Sequence, residues 1–368
     1  MKIGLGLYRN LLTPENVRFA RQVGVSHIVA HIPGGFRRGK GKVITSDVER
    51  AGFGVSDGDD PIWTFDGLRD LKAMINAEGL ELAALENFEP AHWYDVLLDG
   101  PHRAGQMAHL KQIVRDVGRL GIPTIGYCFS LAGVWGRSEG AFARGGARSV
   151  GYFDPPQTLI PAGMVWNMVY DPDRFDPRGA GDIVGPVTAA ALWERFERFL
   201  AELLPVAEES GVQLAIHPDD PPLPELRGTA RLVTHPDHFQ RVLDLRPSPA
   251  SMIELCVGTV SEMAGADVYD CVDRYSRAGR LAYIHLRNVR GKAPHYQEMF
   301  VDDGDTDMLR ILRILHANGY DGVLIPDHTP LLECAAPWHA GMAYAVGWMR
   351  AAVAGIERGH GHQSHHRR

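Results

Sequence analysis

The chain has 368 residues, of which 45% are hydrophobic and 23% charged, and its formal net charge is −7 at pH 7. This composition is typical of a globular protein with a sizeable core, long enough for one large α/β barrel or for two ordinary domains. The acidic balance argues against nucleic-acid and anionic-membrane partners, since both bind basic surfaces, and no segment has the apolar length of a membrane span.

A strand-then-helix alternation repeats eight times along the chain. Short apolar runs are typical of buried parallel strands, and amphipathic runs lie between them. The predicted strands are 2–7, 27–31, 80–86, 124–129, 212–217, 251–255, 281–286 and 322–326. The predicted helices include 14–23, 67–78, 107–120, 191–210, 259–278, 307–318 and 338–354. Eight alternations predict an α/β fold, a (β/α)8 TIM barrel, rather than an open sheet. No GxGxxG motif follows a strand, so a dinucleotide site is not expected.

Two long segments interrupt the alternation. Residues 34–63 follow the second predicted strand, and residues 130–186 follow the fourth. Barrel enzymes carry their active-site loops after strands, and the aromatic residues of the second segment favour an ordered cover. The Gly/His/Arg-rich end, residues 358–368, is predicted to be disordered. We therefore expect one barrel domain over residues 1–357, with both insertions.

Four potential metal ligands end successive predicted strands in the second half of the chain. They are His217, Cys256, His285 and Asp327. Residues at the ends of parallel strands face the mouth of a barrel, so two imidazoles, a thiolate and a carboxylate would surround one point. This set suits a divalent transition metal such as Mn, Fe, Co, Ni or Zn. The alternative is four unrelated polar residues, which their equivalent positions make less favoured.

Other strand ends supply further candidates for the same site. His31, Glu86 and Tyr127 follow or end the second, third and fourth strands, and we expect them to contact substrate hydroxyls. Arg287 lies two residues beyond a predicted ligand, so its guanidinium is expected to bind a substrate carboxylate through two nitrogens. The neighbouring Asn288 is a further candidate for substrate binding.

Several motifs together resemble the D-mannonate dehydratases. They are His-Pro-Asp-Asp-Pro-Pro at 217–222, Cys and Gly at 256 and 258, His-Leu-Arg at 285–287, Gly-Asp-x-Asp-Met at 304–308 and Pro-Asp-His at 326–328. The resemblance implies a xylose-isomerase-like barrel and a lyase that converts D-mannonate to 2-keto-3-deoxy-D-gluconate and water. It also implies Mn²⁺ as the first choice of ion, the four strand-end residues above as its ligands, and His328 as a catalytic residue.

The chain also departs from the family pattern near the last strand. Ile325 stands where an Arg usually precedes Pro-Asp-His, Gln297 and Val301 stand where histidines are usual, and residues 329–339 lack the tyrosine that supplies a second acid/base. Elimination of water needs two proton transfers, of which His328 can supply one. The candidates for the second group are Tyr127, His295, Tyr296 and His339, of which His339 is slightly favoured.

These departures leave other functions open. The main alternative is a metal-dependent sugar isomerase or epimerase on the same barrel. A phosphodiesterase or DNA-repair nuclease would need a basic groove and several metals, and a binding protein without catalysis is a further alternative. We expect a small-molecule sugar acid as substrate, a homo-oligomer, and a cytoplasmic location. The location follows from a start without signal-peptide features and from four cysteines without framework spacing.

Overall fold

A closed barrel of eight parallel strands forms the centre of the protein. The computed structural model describes residues 1–34, 54–176 and 178–363, with side chains as far as residue 358. The strands, inside and outside the barrel, are numbered together as β1 (Lys2–Tyr8), β2 (His27–His31), β3 (Gly54–Val55), β4 (Glu81–Glu86), β5 (Thr124–Tyr127), β6 (Arg137–Gly140), β7 (Ser149–Phe153), β8 (Met164–Val165), β9 (Met168–Val169), β10 (Gln213–Ile216), β11 (Glu225–Leu226), β12 (Thr229–Ala230), β13 (Ser251–Cys256), β14 (Leu281–His285), β15 (Asn288–Lys292), β16 (His295–Met299) and β17 (Val323–Ile325). The order around the barrel is β1-β17-β14-β13-β10-β5-β4-β2. All eight predicted strands are present, and the predicted TIM barrel is confirmed.

Helices surround the barrel between its strands. They are α1 (Pro14–Val23), α2 (Phe65–Ala77), α3 (Tyr94–Leu98), α4 (Arg103–Arg119), α5 (Ala189–Ser210), α6 (Pro236–Leu245), α7 (Val257–Glu262), α8 (Val268–Arg277), α9 (Met308–Ala317) and α10 (Pro337–Gln363). Gly24 and Gly211 end α1 and α5 in the left-handed conformation expected of a C-cap, with φ of 86° and 66°. The single helix predicted over 259–278 is instead two helices, because the chain turns at Gly265 (φ 72°) and Asp267 caps the second one.

Alternation along each strand divides its side chains between the barrel interior and the helical layer. In β5, Tyr127 points outward, and its ring packs against Phe196 and Phe199 of α5 at 6.3 and 5.5 Å between centroids. Gly126, next to it, faces inward, where an added Cβ would overlap Glu254 and Tyr283. The outward side chains therefore join the large apolar core under the helices, whereas the inward side chains include Glu254 as well as a smaller apolar cluster with Val29, Ala215 and Val323.

Small sheets formed by the two insertions lie outside the barrel. Strands β6 and β7 pair with β15 and β16, which follow the seventh barrel strand, in the antiparallel order β15-β16-β7-β6. Strand β9 pairs with β8 and with β3, so it joins the two insertions to each other. Residues 35–53, the main part of the first predicted insertion, lie outside the described residues. Within the described part of the second insertion, pairing between strands is limited to the short strands β6 to β9, which lie between residues 137 and 169.

The last helix is longer than predicted. Helix α10 packs on the barrel through buried residues such as Met349, Val353 and Ile356, and its backbone continues to Gln363. Residues 358–363, expected to be disordered, therefore continue a helix that the core holds upstream. Residues 364–368 lie outside the described part of the chain.

Candidate metal centre

A cavity of about 320 Å³ lies at the carboxyl ends of the barrel strands. The polar residues that line it include Tyr8, His31, Glu86, His217, Asp327 and His328. Four of these six had been predicted from strand ends as substrate or metal contacts, and His328 from the family motif. The cavity therefore brings five of the predicted site residues together.

Three of the four predicted metal ligands form one compact group. His217, Cys256 and His285 each offer a ligand atom, and these atoms lie within 4.8 Å of one another. Strand order explains the grouping, since β10, β13 and β14 are neighbours in the barrel and Cys256 pairs in register with His285. Asp327, two residues after β17, completes the row on the next strand, with Oδ2 3.4 Å from His285 Nδ1.

Asp327 has an unusual backbone conformation. Its φ is 59°, in the left-handed region, which is disfavoured for residues with a side chain although Asp tolerates it better than most. Asn87, which follows β4 and also lines the cavity, has a φ of 65°. Such strained positions concentrate at functional sites, where the surrounding structure holds them. Here the turn brings the Asp327 carboxylate back towards the row of ligands.

The Cys256 sulfur is set up as a thiolate. It is fully buried, receives the backbone N–H of Thr259 at 3.4 Å and faces Arg287 Nη2 at 3.4 Å. Burial alone would raise the pKa of the thiol, but Arg287 and His217 hold this pKa well below its usual value. A deprotonated sulfur between two imidazoles is a strong ligand for a divalent transition metal.

The buried polar atoms around His285 are consistent with a bound cation. Among the described residues, neither ring nitrogen of His285 has a hydrogen-bond partner, and the same holds for both carboxylate oxygens of Glu254. His285 Nε2 nevertheless lies 3.3 Å from Glu86 and 3.1 Å from Glu254. Buried polar atoms are rarely left without partners, so a cation at Cys256 and His285 fits these residues.

Glu254 was missed by the sequence reasoning because it lies inside an apolar run, Ser-Met-Ile-Glu-Leu-Cys. Its position two residues before Cys256 was the available signal, since residues i and i+2 of a strand face the same side. Glu254 is 1% exposed, and burial and the neighbouring Glu86 raise the pKa of its carboxyl. Together with Glu86 it surrounds Nε2 of His285, which suits a carboxylate pair that orients a ligand imidazole.

His328 is held at both ring nitrogens. Nδ1 lies 2.9 Å from Glu298 Oε1, and Nε2 lies 2.8 Å from the hydroxyl of Tyr8. Nε2 is also 3.6 Å from Asp327 Oδ1. Burial alone would lower the pKa of His328, but Asp327 and Glu298 raise it. The histidine is therefore oriented beside the ligand group, and its ring faces the cavity.

Comparison with known proteins identifies the family. The family model described as D-mannonate dehydratase (UxuA) matches residues 36–358 of this chain. The chain belongs to the D-mannonate dehydratase family. It is therefore an enzyme of the lyase class, as the motifs predicted.

Individual relatives agree with this assignment. The mannonate dehydratase of Geobacillus thermodenitrificans (strain NG80-2) is 27% identical over 309 residues, which cover 78% of this chain and 82% of the relative. The crystal structure of mannonate dehydratase from Streptococcus suis serotype 2 has a TM-score of 0.76 at 24% identity, covering 98% and 95% of the two chains. A xylose isomerase domain protein from Planctomyces limnophilus has a TM-score of 0.59 at 14% identity, covering 97% and 99%. These structures support the xylose-isomerase-like barrel. Among the described residues of this dehydratase family member, no helix is long and apolar enough to cross a membrane.

Arg287 of this D-mannonate dehydratase family member does not lie where a substrate carboxylate would meet it. Its guanidinium is buried and contacts three protein carboxyl groups: Asp220 at 2.7 Å, Glu262 at 2.9 Å and Glu298 at 3.0 Å. It does not belong to the cavity lining. The expectation of a free guanidinium is therefore corrected, because acidic residues from three other segments surround this side chain.

Asn288 is likewise a structural residue in this dehydratase. Its side-chain amide donates to the carbonyls of Val301 and Thr306 at 3.1 and 3.0 Å, and its oxygen accepts from the backbone N–H groups of Val289 and Thr306. These bonds satisfy the amide, and Asn288 is 1% exposed. It holds the loop after β16 rather than facing the cavity, which corrects the prediction of substrate binding.

Two of the residues predicted to carry proton transfer lie away from the cavity. Tyr127 points into the helical layer, as described above, because it occupies the outward phase of β5. His339 lies at the start of α10, where Nε2 is 2.9 Å from Asn16 Oδ1 and the ring contacts Phe19 at 4.8 Å between centroids. Both residues join helices to the barrel, so the structure corrects these two assignments.

The other two candidates for the second proton transfer, Tyr296 and His295, are also absent from the cavity lining. Tyr296 is buried beside Arg287 and donates to Asp220 Oδ1 at 2.8 Å, whereas His295 is exposed at the first position of β16. Neither Asp219 nor Asp220 has a described contact with a ligand imidazole, and His217 Nδ1 instead faces the Pro218 carbonyl at 2.6 Å. Asp219 accepts the backbone N–H groups of Leu232 and Val233, both at 2.9 Å, and so fixes a loop.

Proposed function

We propose that the protein removes water from a sugar acid, with D-mannonate as the first substrate to test and 2-keto-3-deoxy-D-gluconate as its product. Family membership supports the reaction class, and relatives named mannonate dehydratase support the substrate. One observation carries the proposal to this chain. The ligand atoms of His217, Cys256 and His285 lie within 4.8 Å of one another, beside a cavity that His328 also lines.

The proposal includes one divalent ion held by His217, Cys256, His285 and Asp327. The thiolate character of Cys256 and the absence of described hydrogen-bond partners at His285 support it. Such an ion would neutralise the negative charge that develops on the substrate carboxylate as the proton on C2 leaves. The family resemblance makes Mn²⁺ the first ion to test, and Fe²⁺, Co²⁺, Ni²⁺ and Zn²⁺ are the others.

His328 is proposed to remove the proton from C2. Burial opposes ionisation of Glu298, but His328 and Arg137 hold the pKa of the Glu298 carboxyl below its usual value. An ionised Glu298 accepts a hydrogen bond from Nδ1–H of His328, so the lone pair of the imidazole is at Nε2. Nε2 faces the cavity side, where Tyr8 lies, and is the atom placed to accept a proton.

Other residues of the cavity are proposed to position the substrate. His31 and Glu86 line it and keep their predicted role towards hydroxyl groups. In place of Arg287, the cations that line the cavity are Arg9, Arg137 and Arg231. Arg137 and Arg231 are already paired with Asp220 and Asp219, as Arg287 is with its carboxyl groups. The partly exposed Arg9 is therefore the first candidate for the substrate carboxylate, which a guanidinium binds through paired hydrogen bonds.

An aldonate panel tests the function. Purified protein loaded with Mn²⁺ is expected to form a 2-keto-3-deoxy acid from one or more aldonates, measured as its semicarbazone. Cys256→Ser is expected to lose bound metal, measured by mass spectrometry, together with turnover, whereas Cys334→Ser at an exposed site is the matched control and keeps both. Full metal content in Cys256→Ser contradicts the ligand assignment. Interconversion of a ketose and an aldose without loss of water would establish the isomerase alternative instead.

The proposal extends to the setting of the enzyme. We propose one barrel domain over residues 1–357 and a homo-oligomer in the cytoplasm, with no nucleic-acid or membrane partner. The four cysteines are all free, which supports a reducing compartment. Light scattering on the purified protein measures the number of subunits directly.

A further inference from the structure

The elimination requires a second proton transfer, and the residues predicted for it from the sequence do not reach the cavity. Residues 329–339, which follow β17, contain no tyrosine, and Tyr127 and His339 lie in the helical layer. A hydroxyl leaving from C3 nevertheless needs a proton, because hydroxide is a poor leaving group. The second group must therefore be a protonated side chain that lines the cavity beside His328.

Tyr8 meets this requirement. It is the last residue of β1, it lines the same cavity, and its hydroxyl is 2.8 Å from Nε2 of His328. The ring is held by His31, at 4.9 Å between centroids, and lies 6.4 Å from the ring of His328 in a stacked orientation. When His328 is neutral, its Nδ1–H donates to Glu298 and its Nε2 accepts from the Tyr8 O–H, so the phenol is the protonated member of the pair.

We propose that Tyr8 is the general acid of the reaction and supplies the proton that the departing hydroxyl group needs. This inference rests on the proposed function. His328 Nε2 first takes the proton from C2, and the C2–H electron pair is held by the substrate carboxylate as an enediolate. This electron pair then forms the C2–C3 double bond as the C3–O bond breaks. Tyr8 gives its proton to the departing hydroxide, which leaves as water, and the enol becomes the 2-keto acid.

The hydrogen bond between Tyr8 and His328 also allows both residues to return to their initial protonation states. After elimination His328 is an imidazolium and Tyr8 a phenolate, and a proton passes from Nε2 to the phenolate oxygen across the 2.8 Å contact. No external proton is consumed. Because the two atoms are so close, the hydrogen and the hydroxyl leave from the same face of the C2–C3 bond. Burial and the nearby Asp327 raise the pKa of Tyr8, which agrees with a phenol that keeps its proton before the reaction.

The variant Tyr8→Phe tests the assignment, with Tyr94→Phe as control. The Tyr94 hydroxyl forms the other tyrosine–histidine hydrogen bond found among the described side chains, 3.4 Å from His102 Nδ1 and away from the cavity. Tyr8→Phe is expected to lower kcat by about 10²–10⁴-fold, the usual contribution of a general acid, with KM within a few-fold and metal content unchanged. Tyr94→Phe is expected to behave as the wild type.

Deuterium exchange separates a general acid from a structural residue. In D₂O, the aldonate recovered from Tyr8→Phe is expected to carry deuterium at C2, because His328 still removes that proton, whereas His328→Asn is expected to show neither exchange nor elimination. Tyr8→Phe with near-normal kcat, without exchange, or with loss of metal or ellipticity overturns the proposal. A wild type that forms no keto-deoxy acid from any aldonate refutes the proposed function itself, and the inference fails with it.

Discussion

Replacing Arg287 with Met is expected to destabilise the fold rather than only weaken substrate binding. The buried cluster around it holds two cations, Arg137 and Arg287, and two ionised carboxylates, Asp220 and Glu298. Burial and then Asp220 raise the pKa of the third carboxyl group, Glu262. Each of the two guanidinium groups contacts both Asp220 and Glu298, so removal of one of them leaves uncompensated buried negative charge.

The expected magnitude follows from these contacts. Breaking a buried ion pair by removing one partner costs about 3–5 kcal/mol, because the other charge stays in a poorly solvating environment. A single substrate contact of the kind first predicted for Arg287 would instead be worth about 1.5–3 kcal/mol and would appear in KM. Arg290→Met is the matched control, since Arg290 is half exposed and contacts Asp303 at 3.2 Å, and surface pairs contribute about 0–1 kcal/mol.

Urea unfolding, followed by circular dichroism, distinguishes the two roles. Both variants are measured with EDTA and with excess Mn²⁺, because Arg287 also holds the Cys256 thiol deprotonated and its loss is expected to weaken metal binding. A low unfolding midpoint for Arg287→Met in EDTA, with Arg290→Met near the wild type, supports a structural cluster. Wild-type stability combined with a raised KM would refute this reasoning and return Arg287 to the substrate.

Three further predictions concern the buried residues Glu254, Gly126 and Glu89. Glu254→Gln is expected to weaken metal binding by about 10–100-fold, measured by competition with a chelating dye, because Glu254 orients His285; unchanged affinity contradicts this. Gly126→Ala is expected to abolish turnover, because the new Cβ overlaps the Glu254 side chain. The control is Gly105→Ala, which lies on a helix with open space around it. It is expected to keep activity and to gain about 0.5–1 kcal/mol in the free energy of unfolding. Burial raises the pKa of the Glu89 carboxyl from its usual 4.5 to about 7. The folded state therefore holds a proton that the unfolded state loses, so the stability of the wild type relative to Glu89→Gln is expected to be complete below about pH 4.5 and to fall by about 3 kcal/mol as pH rises to about 7. Parallel unfolding curves for the two proteins at both pH values would contradict it.

The fold and the metal group were predictable because both follow from local patterns. A short apolar run that ends on a polar residue defines a strand and also the residue at its carboxyl end, and the closed barrel brings such ends together. His217, Cys256, His285 and Asp327 could therefore be named without tertiary information. The same reasoning identified His31 and Glu86 as cavity residues.

The wrong predictions concern residues whose role depends on which side of a strand the side chain occupies, or on a partner that is distant in the sequence. Tyr127 was misplaced because a one-residue change of phase moves a strand residue from the barrel interior to the helical layer. Arg287 was misassigned because its carboxylate partners come from residues 220, 262 and 298, which no local pattern connects. Tyr8 was overlooked because the predicted first strand ended one residue too early, at position 7.

The closure of the barrel between its first and last strands has a consequence for the order of events during synthesis. Lys2 of β1 pairs with Val323 of β17, and the Tyr8–His328 hydrogen bond joins residues 320 positions apart. A ribosome-bound chain therefore keeps one edge of its first strand open until nearly all of it has emerged, and such edges are sites of aggregation. His217, Cys256 and His285 are available earlier than Asp327 and His328. A nascent chain would accordingly acquire most of its ligand group before it acquired the residues proposed to transfer protons, so that ion capture would precede catalytic competence.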